Sequence, residues 1–162
     1  MNGGKGMDGR VILDQIGMIR SVTLETIGEI SDEEADIQPK GWNNTIRWHL
    51  GHIYLVQERL AFHFAGFPLD LPQSYIDMFC SGTKPSDWKL EPPSLADLAA
   101  RLAEQPDRIR ALLCDKLEER PANPFPRFDG KIDTIGGLLT FSLFHEGLHN
   151  ASIRALKRAV VV

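Results

Sequence analysis

Apolar residues recur at helical spacing over most of the chain. Between Asp8 and Ile30, the positions Ile12, Ile16, Ile19, Thr23, Ile27 and Ile30 make one stripe at steps of three and four, which predicts a first helix. A second helix is predicted after Asn43-Asn44, both good N-cap types, running to Ala65, where Gly66 and Pro68 stop it. A third starts at Ser94, where Ser94-x-x-Asp97 resembles a capping box, and ends before Pro121, with a kink or break expected at Pro106. The fourth begins near Asp133-Thr134 and reaches Val160. Its late Arg154, Lys157 and Arg158 suit the negative pole of a helix dipole. Strand patterning is scarce. Only "FPRFDGKIDT", with the turn pair Asp129-Gly130, predicts a small hairpin before the fourth helix. The expected fold class is therefore all-α. It is a four-helix bundle with a long connection between helices two and three, as one domain over residues 8–162.

That long connection runs from Phe67 to Pro93 and contains Pro68, Pro72, Pro85, Pro92 and Pro93. A link of this length in a bundle is expected to pack over a site.

Composition narrows the partners. Hydrophobic residues are 43% and charged residues 25%, as in a globular protein, and 18 basic against 22 acidic side chains leave a net charge of -4. There is no basic run to follow a phosphate backbone, so no nucleic-acid partner is expected. No apolar stretch approaches the roughly 20 residues that span a bilayer, so no membrane partner is expected either. Residues 1–7 are polar and Gly-rich and read as a flexible tail rather than a signal peptide, which makes the expected location cytoplasmic. Cys80 and Cys114 offer no disulfide framework and are expected to be ordinary thiols.

The candidate chemistry lies in the histidines. His145-Glu146-Gly147-Leu148-His149 matches H-E-x-x-H, in which two His bind zinc and the Glu acts as general base. The two imidazoles lie one turn apart on one helix face, among Leu138, Leu139, Phe141, Leu143, Phe144 and Leu148. Imidazoles in such surroundings need partners: a metal ion, or hydrogen bonds in the core. A zinc protease needs a third protein ligand. From Asn150 to Val162 there is no His, Asp, Glu or Cys, so a third ligand must lie upstream. Glu146 sits about 100 degrees round the helix from His145, where a salt bridge is as easy as a catalytic position. Helix two offers His49 and His52 at i, i+3, and its all-round apolarity does not choose between them; His63 lies further along, at the periphery. Gly51 and Gly147 beside these histidines would let two helices approach closely.

Three stretches together carry a resemblance over nearly the whole chain: "NNTIRWHLGHIYLVQERLAFHFAG", "LPQSYIDMFCSGTKPSDW" and "FHEGLHNASIRALKRA". They resemble the DinB-like superfamily, and within it the small proteins grouped with bacillithiol transferases and YfiT-like hydrolases. The resemblance implies an up-down-down-up bundle with one His on helix two and two on helix four holding a divalent ion. By motif position these fall on His52, His145 and His149, with His49 as runner-up.

The function that follows is a metal-dependent enzyme. Three neutral His would leave Zn²⁺ or Ni²⁺ with open positions and a net positive charge, able to activate a bound thiol or water. The expected reaction is thiol S-transfer or hydrolysis, with a low-molecular-weight thiol and a small electrophile as partners. The alternative is a metal-binding stress-response protein without turnover. A homodimer is expected, because helix two carries apolar residues on more than one side.

Overall fold

The structure, a computed structural model, describes residues 9–160. The expected flexible tail, the start of the first helix at Asp8 and the last two residues lie outside that range. Six α-helices and no strands occur among the described residues: α1 (Arg10–Ile27), α2 (Asp32–Ala35), α3 (Ile46–Glu58), α4 (Gln73–Phe79), α5 (Leu95–Leu113) and α6 (Ile135–Val160). Four of them, α1, α3, α5 and α6, make the bundle. α1 and α3 each pack against both α5 and α6.

Cross-helix bonds give the directions. Thr23 reaches Glu146 and Lys157 reaches the Thr26 carbonyl, so α1 and α6 are parallel. Arg20 bonds the Leu102 carbonyl and Arg110 meets Asp14, so α5 runs against α1. His49 meets His149 and His52 meets His145, so α3 runs against α6. Arg47 bonds the Pro93 carbonyl and Arg108 bonds Glu58, so α3 and α5 are parallel neighbours. The order is up-down-down-up. Because α3 and α5 point the same way, the chain must travel back along the bundle between them. That return is the reason for the long Pro-rich link.

The core explains most helix limits. In α1 the buried line is Leu13, Ile16, Arg20, Thr23 and Ile27, which keeps Ile16, Thr23 and Ile27 of the expected stripe; Ile12 and Ile19 are half-buried beside it, and the helix stops at Ile27. Ser31 then opens α2 with a reciprocal capping box to Glu34. α3 is capped by Thr45, whose hydroxyl accepts from the Trp48 amide, so the cap sits just past Asn43-Asn44. Twelve of its residues are buried, from Ile46 to Glu58, under α4, α5 and α6. Its apolar excess, the basis for expecting a dimer, is thus covered within the chain. After Glu58 the helix widens into a π turn, Arg59–His63, before Gly66 ends it at a positive φ of 92°.

The link contains α4, which sequence periodicity passed over, although Tyr75, Met78 and Phe79 are spaced as one buried face. α5 begins at Ser94, which accepts from the Asp97 amide as expected. It runs through Pro106 unbroken and ends at Leu113, short of Pro121. Proline lacks the N–H that would bond the carbonyl four residues back. That carbonyl, on Leu102, instead accepts from the Arg20 guanidinium at 2.5 Å. The tail of α5 folds back so that the Leu117 and Glu119 carbonyls accept the Gly136 and Ile135 amides at the start of α6. Thr134 caps α6 by accepting from the Gly137 amide.

The predicted hairpin does not form. Phe128–Gly130 is a single 3-10 turn with Phe128, Asp129 and Gly130 all at positive φ. The Asp129-Gly130 turn chemistry is expressed, but no paired strands flank it.

Candidate metal centre

α3 and α6 run antiparallel with His52 opposite His145, and His149 lies one turn along α6 from His145. One ligand atom from each of His52, His145 and His149 lies within 4.8 Å of the other two. His52 is buried and the α6 pair is half-buried. His49 stands behind this group, its Nδ1 2.8 Å from Nδ1 of His149. His63 lies outside it, beside Phe64.

The surroundings orient His52 first. Its Nδ1 is 2.6 Å from the Phe79 carbonyl oxygen, which can only accept, so Nδ1 carries the proton and donates. Nε2 therefore presents a lone pair, pointing to Nε2 of His145 at 3.1 Å. This is the arrangement expected of a metal-ligating imidazole, held by a backbone acceptor on its far nitrogen. Two nitrogens at ~2.0–2.1 Å from a tetrahedral zinc lie roughly 3.3 Å apart. The observed spacing fits a shared cation with a small adjustment.

Trp48 stacks on the His52 ring, with centroids 4.6 Å apart and planes at 11°. Its Nε1 donates to Thr83, which itself bonds the Met78 and Cys80 carbonyls, and Trp88 also donates to the Met78 carbonyl. The residues of the "GTKPSDW" stretch thus hold the end of α4 on the site, as expected of a link that packs over it. Gly51 makes this seat possible: a Cβ there would fall 2.4 Å from the Phe79 ring. The close approach inferred from Gly51 is real, but its partner is α4. Gly147 serves no such approach. It is exposed with nothing near its missing side chain.

Electrostatics keep the rings neutral. Burial, then the neighbouring imidazoles, push His149 down to about 2. Burial, then His52 and Arg127, push His145 to about 4, and burial with His52 takes His49 to about 4. His52 is also lowered by burial, against the opposing pull of its bond to Phe79. Neutral imidazole is the form that binds metal.

Glu146, the second letter of the protease-like signature, faces away. It is 2% exposed, and its Oε1 accepts from Arg20 Nε and Thr23 at 2.8 Å each, while Oε2 accepts from Arg20 Nη2 at 3.1 Å. Asn150 donates to the same Thr23 hydroxyl. Both oxygens of this carboxylate are engaged in structural bonds on the side of α6 away from the histidines, which is the setting of an ion pair rather than of a general base. Sequence reasoning missed Arg20, because its partner lies 126 positions away.

A cavity of about 200 Å³ opens directly beside the cluster, lined by His52, His145, Arg59, Phe64, Phe125 and Phe141 among others. Cys80 is half-buried at the end of α4, its Sγ 3.9 Å from an Arg59 nitrogen, and Cys114 is exposed. Among the described residues no helix is long and apolar enough to cross a membrane.

Comparison with curated proteins finds no match. The family model of the DinB superfamily matches residues 15–153, which contain all six helices in whole or in large part and every histidine described above. The chain belongs to the DinB superfamily.

Proposed function

We propose that His52, His145 and His149 hold one divalent metal ion, Zn²⁺ or Ni²⁺, and that the protein is a metal-dependent enzyme acting on a small electrophile with a low-molecular-weight thiol. The observation that carries this reading is the convergence of three neutral imidazoles on one point that opens into a cavity. A bound ion with an open position would lower the pKa of a thiol or a water held there. The chain supplies the rest. Phe79 and Trp48 hold His52 in one tautomer and one plane. His49 pairs with the outer nitrogen of His149. The apolar walls around the cavity keep bulk water from the reacting sulfur. Hydrolysis is the second reaction the same donor set supports, with water in place of the thiol.

Metal analysis of the purified protein, followed by a thiol-consumption screen against electrophiles, tests the reading. Expected are one ion per chain and turnover that is lost on chelation and in His145→Ala. Cys80→Ser should retain most of the activity, because the sulfur comes from the cosubstrate. Turnover by metal-free protein, or its loss in Cys80→Ser with metal still bound, would replace this mechanism with cysteine chemistry.

A further inference from the structure

Four arginines of this bundle pair with carboxylates. Arg20 has Glu146, Arg47 has Asp32 and Asp36, Arg108 has Glu58, and Arg110 has Asp14. Two arginines that line the cavity beside the histidines differ. Among the described residues neither Arg59 nor Arg127 has a carboxylate partner. Arg59 is half-buried, with the Cys80 sulfur 3.9 Å from its guanidinium, and Arg127 is exposed and lies over the rings of Phe128 and Phe141, 5.3 and 5.7 Å from their centroids. Acidic residues outnumber basic ones in this chain, so the lack of partners is not a shortage of carboxylates. For the half-buried Arg59, lacking a counter-charge is costly, and an arriving anion relieves that cost.

The cavity that these two cations line also has an aromatic wall. Phe125 packs edge-on to Phe64 at 5.2 Å and tilted against Phe141 at 5.5 Å. The π turn at Arg59–His63 helps to build this wall. In an unbroken α-helix His63, eleven residues after His52, would share its face, at about 20 degrees from it. The wider π turn rotates the following residues back, so that Phe64 lines the cavity and His63 does not. Next to Arg127 in the chain, Phe128 and Asp129 adopt left-handed backbone, which is costly for residues with a side chain.

We propose that this cavity is a substrate pocket for a small organic carboxylate, whose apolar body lies against Phe64, Phe125 and Phe141 and whose carboxylate is met by Arg59 and Arg127. It rests on the reading of the adjacent histidines as the reaction centre, and it assigns the electrophilic substrate to the class of apolar-bodied small acids. A planar carboxylate matches the fork of a guanidinium, and the cavity has room for a body of only modest size.

Calorimetric titration with benzoate and benzamide tests this, since the two share a ring and differ in charge. The protein is titrated as purified and again after chelation. Benzoate should bind at least about tenfold more tightly than benzamide in both states, the difference expected from charge-assisted hydrogen bonds. Arg59→Gln and Arg127→Gln should each bring the ratio toward one. Equal binding of the two probes, no binding of either, or a preference that survives both substitutions overturns the proposal. So does a preference seen only with metal bound, which would place the carboxylate on the ion and leave the metal reading standing. A preference that persists in a protein found to hold no metal supports the pocket while the metal reading falls.

Discussion

The two inward faces of α6 carry polar groups one residue apart in sequence and opposite in character. On the face toward α1, Glu146 is enclosed by Arg20, Thr23 and, through Thr23, Asn150, so its charge and its lone pairs are met by protein donors. On the face toward α3, His145 and His149 meet His52 and His49, which are themselves imidazoles. Each ring is pushed toward the neutral form, which has one donor and one acceptor, so the rings can bond one another or turn their lone pairs to a shared cation. The first face is complete without a ligand. The second would be completed by a cation. A buried polar group with all its partners reads as architecture, and converging lone pairs beside a cavity read as a binding site.

This contrast can be broken most directly on the histidine face. His52→Ala, His145→Ala and His149→Ala should each remove most of the bound metal, as measured by elemental analysis of the purified variants. If His52→Ala keeps full occupancy while His49→Ala loses it, the helix-two ligand is His49.

The Glu146 face should fail in the other way. Glu146→Ala leaves the Arg20 guanidinium buried without its counter-charge and should cost about 3–5 kcal/mol in chemical denaturation. The folded fraction should keep its metal, and the milder Glu146→Gln should do so with a smaller loss. Metal loss at unchanged stability would make Glu146 part of the centre and abolish the distinction between the faces.

His49→Ala sharpens the line between ligand and supporting residue. Loss of the ring paired with His149 should weaken metal affinity by about 10–100-fold, read in a chelator competition, without changing the stoichiometry.

The smallest effect is on pH dependence. The folded-state values of His49, His145 and His149 lie below the ordinary 6.5, so the unfolded chain binds more protons between those values. For metal-free protein, stability should be full above about pH 6.5 and decline as the pH falls toward 4. Thermal melts of chelated protein at pH 7.5 and 5 measure it, and a flat profile would mean that the rings are less enclosed than their packing indicates.

Several features were determined locally and could be read without the fold. Thr134 and Ser94 mark helix starts because a hydroxyl reaches the amide three residues on, whatever surrounds it. The i, i+4 spacing places His145 and His149 on one face of any helix that contains them. Ser31-x-x-Glu34 was equally legible as a capping box, and it opens a helix that periodicity alone, over so few residues, cannot register. Tertiary packing decided the rest. Whether His49 or His52 joins the α6 pair depends on how α3 is turned against α6, and the buried residues of α3 surround the helix too completely for any stripe to reveal it. Pro106 stays inside α5 because Arg20, from another helix, takes the carbonyl that proline leaves free. Glu146 carries the letter of a catalytic base and the surroundings of a structural ion pair. Its partner lies far away along the chain, and only folding brings the charge that makes the difference.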